Sequence, residues 1–161
     1  MHSVQFDIPF SDIISTFKKK CLNNNNEKLL KSSSEKGVFY FRNFYKVSSK
    51  PWFQTINTHK VHRKVINVIN RIRSGHTSTN KDLTRFKIVN SAECKCLLYE
   101  ETVEHIFWQC NRYEMERGKM IRRLRRLKIY APYSIINILQ NINNDIIDSI
   151  SDFILKSEFN I

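Results

Sequence analysis

Three of the chain's four cysteines and one of its histidines are gathered in the stretch CKCLLYEETVEHIFWQC, from Cys94 to Cys110. Cys94, Cys96, His105 and Cys110 follow the order C-x-C-x8-H-x4-C, which offers three thiolates and one imidazole, the donor set of a closed tetrahedral zinc site. Two cysteines one residue apart can grip an ion from a tight turn, and the other pair must come from a second element folding back over it. Thr102 is placed to cap a helix beginning near Val103, with His105 in its first turn. Five positions separate His105 from Cys110, an offset of about 140° at about 3.6 residues per turn, so the two cannot share one straight helical face. The expectation is a helix that ends or bends before Cys110, with Phe107 and Trp108 covering the ion or joining the core, and a second helix beyond.

Other chemistries compete for the same residues. Three buried free thiols beside a satisfied histidine would give the same composition, and C-x-C is tighter than the more frequent C-x2-4-C of zinc modules. Spacing alone leaves both readings open. A redox pair is disfavoured because Cys94-Lys95-Cys96 is not C-x-x-C and no strand-helix-strand pattern surrounds it. A Cys-His nucleophile is disfavoured because nothing marks one thiol for attack or supplies an oxyanion hole. Cys21 lies in a polar segment far from the others and reads as a bystander.

The elements that would position this cluster read as helices. Only three glycines and three prolines in 161 residues leave few turns for a many-stranded fold. Ser11 could cap a short amphipathic helix bearing Ile13, Ile14 and Phe17, and CLNNNNEKLLKSSSEK then reads as linker or disorder. GVFYFRNFY, from Gly37 to Tyr45, has strand character. From about Thr58, Val61, Val65, Val68, Ile69 and Ile72 recur at helical spacing, stopped by Gly75, and Asn80 is a candidate cap for a brief helix carrying Leu83 and Phe86. Tyr113, Met120, Ile121, Leu124 and Leu127 stripe an arginine-rich helix, and Ile146, Ile147, Ile150, Phe153 and Ile154 mark a closing, acidic one with Asp145, Asp148, Asp152 and Glu158. The expected fold is mainly α, a small helical bundle organised around the zinc-type site, with a polar N-terminal tail over 1–50, a basic module over 51–130 and acidic helices over 131–161.

A formal charge of +12 makes nucleic acid the default partner, because excess Lys and Arg attracts polyphosphates and releases their counterions, with an acidic membrane surface a weaker option. The candidate phosphate contacts are Arg63, Lys64, Arg71 and Arg73 on the first basic helix and Arg117, Arg122, Arg123, Arg125, Arg126 and Lys128 on the second. A charge run is usually a solvated face, but neutralising partners at i,i+4 are few here beyond Glu114 and Glu116. Trp108, Tyr113 and Tyr130 could stack on unpaired bases or pack in the core. With no spanning apolar stretch and no secretory signal order at the N-terminus, an intracellular location, nucleus or cytoplasm, is expected.

The series Arg71, Arg73, Gly75, His76, Thr77, Asn80, Leu83, Arg85, then Cys94, Cys96, Glu101, Thr102, Val103, Glu104, His105, Cys110, Tyr113 and Arg117 resembles the segment that follows the ribonuclease H domain in jockey-like non-LTR retrotransposon polyproteins. DIPFSDIISTFKKKC resembles the stretch with which that family leaves its ribonuclease H fold, and Pro51 to Phe53 resembles a later tryptophan-containing patch; the asparagine run from Asn23 to Asn26 departs from the family pattern. The resemblance implies a zinc-binding, nucleic-acid-handling C-terminal module of a reverse transcriptase polyprotein, with RNA or DNA backbone as partner. It also implies that the polymerase and the ribonuclease H carboxylates would lie before residue 1, making this chain a truncated or separately encoded remnant. The aspartates, Asp7, Asp12, Asp82, Asp145, Asp148 and Asp152, share no evident frame for two-metal chemistry, so no enzyme is expected. His76, after a helix-ending glycine, reads as a turn residue. An interaction module without nucleic acid, or an inert fragment, remains the alternative.

Overall fold

The computed structural model describes residues 9–48, 50–57 and 59–157, and among these it is helical with one isolated antiparallel bridge, Glu93 to Glu100. Asp7, Ile8, Thr58 and Glu158, each part of a sequence-based expectation, lie outside the described residues.

The polar N-terminal segment is a helix, α1 (Phe10–Ser32), that buries none of its residues. It therefore runs straight through the asparagine run expected to be linker. Asparagine is only modestly unfavourable in a helix interior, and Leu, Lys and Glu on either side favour it. Asn26 also gains a tertiary partner, accepting from the Tyr45 hydroxyl at 2.8 Å. The serines end the helix: Ser32 and Ser33 hydroxyls donate to the carbonyls of Leu29 and Leu30 at 3.0 and 2.7 Å.

The aromatic segment expected as a strand is α2 (Val38–Asn43), entered through Gly37 in the left-handed region. A short apolar run does not reveal its own period. Its rings resolve the matter by spacing: Phe41 and Tyr45, four apart, stand 4.8 Å centre to centre, and Phe44 is buried.

Helix α3 (Arg63–Ser74) begins later than expected, behind His62, whose Nδ1 accepts from the Lys64 amide at 3.1 Å. Val65, Val68, Ile69 and Ile72 are buried as their spacing predicts, and Gly75 ends the helix with φ of 71°. The cap of α4 (Asn80–Arg85) is Thr79, one residue before the expected Asn80. Helices α5 (Val103–Trp108) and α6 (Glu114–Arg126) flank Cys110, followed by α7 (Ile135–Gln140) and α8 (Asn144–Lys156).

The core forms where α6 and α8 pack along each other, α3 crosses α7 and α8, and α5 leans on α7. Phe107 from α5 meets Phe153 from α8 at 4.9 Å, amid Leu124, Ile147 and Ile150, all buried. Burying such side chains stabilises by about 1.5–3 kcal/mol each before conformational entropy is charged against it. On the flank, Arg123 pairs with Asp152 at 2.6 Å and donates to the Asp148 carbonyl at 3.0 Å, joining the basic helix to the acidic one. No helix among the described residues is long and apolar enough to cross a membrane.

Candidate metal centre

Two short elements deliver the four ligand atoms. The first is a tight hairpin: the Cys94 amide donates to the Tyr99 carbonyl at 2.9 Å, the Glu101 amide to the Ala92 carbonyl at 2.8 Å, and the Leu97 amide back to the Cys94 carbonyl at 2.8 Å. Leu97 takes a left-handed φ of 63° to close this turn. Residues two apart along such a bend present their side chains to one side, which is what a C-x-C pair needs.

The second is α5. The Thr102 hydroxyl accepts from the His105 amide at 2.9 Å, as its capping position predicts, and His105 is buried. The helix ends where the spacing argument requires. The Gln109 and Cys110 amides both donate to the His105 carbonyl, at 2.9 and 2.8 Å, and the longer of these loops is the six-to-one closure of a helix C-terminus. Cys110 is thereby folded back beside His105 instead of lying about 140° around a straight helix.

Cys94 Sγ lies 3.8 Å from Cys110 Sγ, and Cys96 Sγ lies 3.2 Å from His105 Nε2. All four ligand atoms fall within 4.8 Å of one another, and the group could hold a metal ion. Two sulfurs each about 2.3 Å from one tetrahedral ion stand roughly 3.8 Å apart, so the sulfur pair already has the edge length of such a site. The cysteines are free rather than disulfide-bonded. His105 Nδ1 is buried and makes no hydrogen bond, leaving Nε2 as the atom facing the sulfurs.

The thiols differ electrostatically. Burial pushes the Cys94 thiol up to about 12. At Cys96 burial acts the same way but is outweighed by hydrogen bonds from the Leu98 amide, the Cys94 thiol, His105 and the Tyr99 amide, which bring it down to about 6.

The cluster is tied into the rest of the fold by charged groups with positioning roles. Glu104, one residue before the histidine, reaches to the start of α7 and accepts from the Ser134 hydroxyl and the Ile135 amide, both at 3.2 Å. Burial raises its carboxyl above the usual range despite those bonds. The Asn80 side chain donates to the Glu93 carbonyl at 2.7 Å, and Lys81 pairs with Glu100 at 2.7 Å, stitching α4 to the hairpin. Thr77 and Asp82 are hydrogen-bonded side chain to side chain. His76 is exposed beside the Phe86 ring.

Two of the candidate phosphate contacts do not lie on the solvated faces of their helices. Arg117 is buried, its Nη2 donating to the Cys110 carbonyl at 2.7 Å, and Arg73 is buried, its Nη1 donating to the Leu139 carbonyl at 3.0 Å. Periodicity pointed to this for Arg117, since it shares a face with Tyr113, Met120 and Leu124; a long aliphatic stem lets such a residue line a core. Arg71 is exposed and donates to Ser78 Oγ at 2.9 Å, and Arg123 is held by Asp152. Arg63, Arg122, Arg125, Arg126 and Lys128 are exposed and Lys64 half-buried, with no ion pair among the described residues. Trp108 stacks on Tyr133 at 5.1 Å and Tyr113 packs on Phe153, so these two serve the interior, whereas Tyr130 is exposed. The acidic residues are spread over separate elements, with Asp12 on α1, Asp82 on α4, and Asp145, Asp148 and Asp152 on α8.

Fold and site together define a mainly helical protein with a Cys3His group able to hold a metal ion. No family model, curated protein or solved structure matches the chain.

Proposed function

We propose that the chain is a zinc-organised, non-catalytic module that binds RNA or DNA through its phosphates, of the kind found after ribonuclease H in jockey-like retrotransposon polyproteins. The observation that carries the reading is the adjacency of Cys94, Cys96, His105 and Cys110 to α6, whose outer row of Arg122, Arg125 and Arg126 has no carboxylate partner among the described residues. Three thiolates and an imidazole suit zinc, which is four-coordinate in structural sites and would lock hairpin to helix. Such a site supplies folding free energy rather than reactivity. The family likeness is carried by the residue series from Arg71 to Arg117, with DIPFSDIISTFKKKC and Pro51 to Phe53 as its upstream part.

Elemental analysis together with a salt series on RNA and DNA oligonucleotides tests the proposal. One zinc per chain and an affinity that falls steeply with salt support it; no binding at low salt removes the nucleic-acid half, and no metal removes the other. A second reading, a protein-interaction module, is favoured by the exposed row Phe10, Ile13, Ile14 and Phe17 on α1, and it stands if the oligonucleotides do not bind.

A further inference from the structure

A second gathering of chemistry-bearing side chains lies away from the cysteines. Between the end of α1, α2, the Pro51 turn and α3 runs a groove of about 590 Å³ lined by the rings of Tyr40, Phe41, Tyr45, Trp52 and Phe53. A second hollow of about 350 Å³ shares Lys46, Lys50, Trp52 and Arg73 with it and reaches Gln140. Both volumes fall in the range of small-molecule sites, roughly 300–1,000 Å³.

The rings pack partly on one another, with Tyr45 4.8 Å from Phe41 and 6.4 Å from Tyr40, and two are also held by hydrogen bonds. Tyr45 is held by its hydroxyl on Asn26 and Trp52 by its indole N–H on Asn70, each at 2.8 Å. Trp52 and Phe53 meet edge to face, 85° apart, and Phe41, Tyr45 and Phe53 stay half-exposed.

The charge lining the groove has one sign. Lys46 and Lys50 stand at its rim and Arg73 in its floor, and no described carboxylate lines either hollow. Arg73 is 7% exposed, lies 4.4 Å over the Phe44 ring and 5.4 Å over that of Trp52, and its Nε makes no hydrogen bond. No carboxylate pairs with it among the described residues. A buried cation without a carboxylate partner is costly, and here only the Leu139 carbonyl, the Tyr40 side chain and two ring faces offset it. A phosphate entering the groove supplies a carboxylate-like counter-charge, while a flat base suits the ring area that stays partly exposed on Tyr45 and Phe53. An acidic peptide would satisfy the cations and leave those ring faces unused.

We propose that this groove binds an unpaired nucleotide of single-stranded RNA or DNA, its base against Tyr45 and Phe53 and its phosphate toward Lys46, Lys50 and Arg73. The site deepens the nucleic-acid reading above and rests on it, adding a preference for single strands, because stacking on a side chain needs an unpaired base.

The test uses the full chain and a fluorescent single-stranded oligonucleotide carrying 2-aminopurine, beside the same sequence as a duplex. Wild-type protein is expected to quench the 2-aminopurine and to bind the single strand more tightly. Phe53→Ala and Tyr45→Ala are expected to weaken single-strand binding about 5- to 100-fold, as loss of a stacked base does, and to leave duplex binding on the α6 arginines unchanged. Arg122→Ala with Arg126→Ala should weaken both forms alike. If the groove variants, or Lys46→Glu with Lys50→Glu, bind single strands as wild type does while the α6 variants do not, the groove is overturned and the broader reading survives. If wild type binds neither form at low salt, both fall. Free uridine monophosphate is expected to compete only weakly; competition as strong as that of the oligonucleotide would make a mononucleotide the ligand and overturn the strand. Unquenched 2-aminopurine in bound wild type overturns the stacking without recourse to any variant.

Discussion

The guanidinium of Arg117 donates to the carbonyl of Cys110 at 2.7 Å, so a buried cation on α6 holds the turn that presents the last candidate metal ligand. Burial lowers its pKa, and the neighbouring Cys110 and Glu114 act the other way. Arg117→Ala removes a charge-assisted hydrogen bond and leaves the carbonyl buried without a partner, a loss of about 1.5–3 kcal/mol. Arg122→Ala, on the exposed side of the same helix, should stay within about 0.5 kcal/mol of wild type. Chemical denaturation of the two variants checks the contrast, and a chelator competition should show faster metal loss from Arg117→Ala only.

One metal ion per chain is expected, held by both elements. Cys96→Ser or His105→Ala should drop the stoichiometry to near zero and open the segment from 90 to 115 to proteolysis, since binding free energy at such a site is folding free energy. Cys21→Ser, at an exposed position on α1, should change neither. Elemental analysis and limited proteolysis of the three variants decide it.

The thiols should report their difference in metal-free protein. With its thiol lowered to about 6, Cys96 is alkylated at a rate that rises through about pH 6 and levels off by neutrality, whereas Cys94, raised to about 12, stays slow throughout. The stability signs are opposite. Folding favours the Cys96 thiolate, a contribution fully present above the ordinary thiol value of 9.0 and lost as pH falls through about 6. Folding disfavours the Cys94 thiolate, so stability declines as pH climbs from 9.0 toward about 12. Metal loading at neutral pH must then expel the Cys94 proton, visible as a buffer-dependent binding enthalpy. Mass-resolved alkylation across pH measures the first part.

Glu104 links the ligand helix to α7, and an acceptor oxygen is what that link requires. Glu104→Gln keeps a carbonyl oxygen for the Ser134 hydroxyl and Ile135 amide and should cost little. Glu104→Ala strips both donors of their partner, a loss of about 1–3 kcal/mol. Thermal unfolding of the pair tells an acceptor role from a charge role, since only the latter would make glutamine as harmful as alanine.

The site was legible where local spacing dictates geometry. Thr102 before Val103, His105 in the first turn and the impossibility of reaching Cys110 on a straight helix are all consequences of helical period and capping, and the structure has each. The α3 and α8 stripes were legible for the same reason. What local rules do not carry is tertiary context. The asparagine run is helical partly because Asn26 meets Tyr45, nineteen positions on; the aromatic run is helical where α2 lies against α3, with Phe39 beside Gly75; Arg73 is buried because Phe44, Trp52 and Leu139 surround it. None of these neighbours is adjacent in sequence. The aromatic groove is not legible in local spacing for that reason, although Tyr, Phe and Trp occur with Lys between residues 40 and 53.

Gly75 joins both kinds of information in one residue. Its φ of 71° closes α3, with amides of Gly75 and His76 returning to the carbonyls of Ile72 and Arg71 at 3.2 and 3.1 Å, a role the sequence announces. A side chain there meets a second obstacle that the sequence does not announce: an added Cβ would lie 2.9 Å from the Phe39 ring on α2. Left-handed backbone alone costs a non-glycine residue about 1–2 kcal/mol. Gly75→Ala should exceed that figure, because α2 must shift to make room. Gly75→Ala with Phe39→Ala should relieve the ring part of the clash, the residue 39 Cβ at 3.1 Å staying close, so a double-mutant cycle on unfolding free energies is expected to give non-additive values. Additive values would mean that α2 yields freely and that its packing on α3 at Gly75 contributes little.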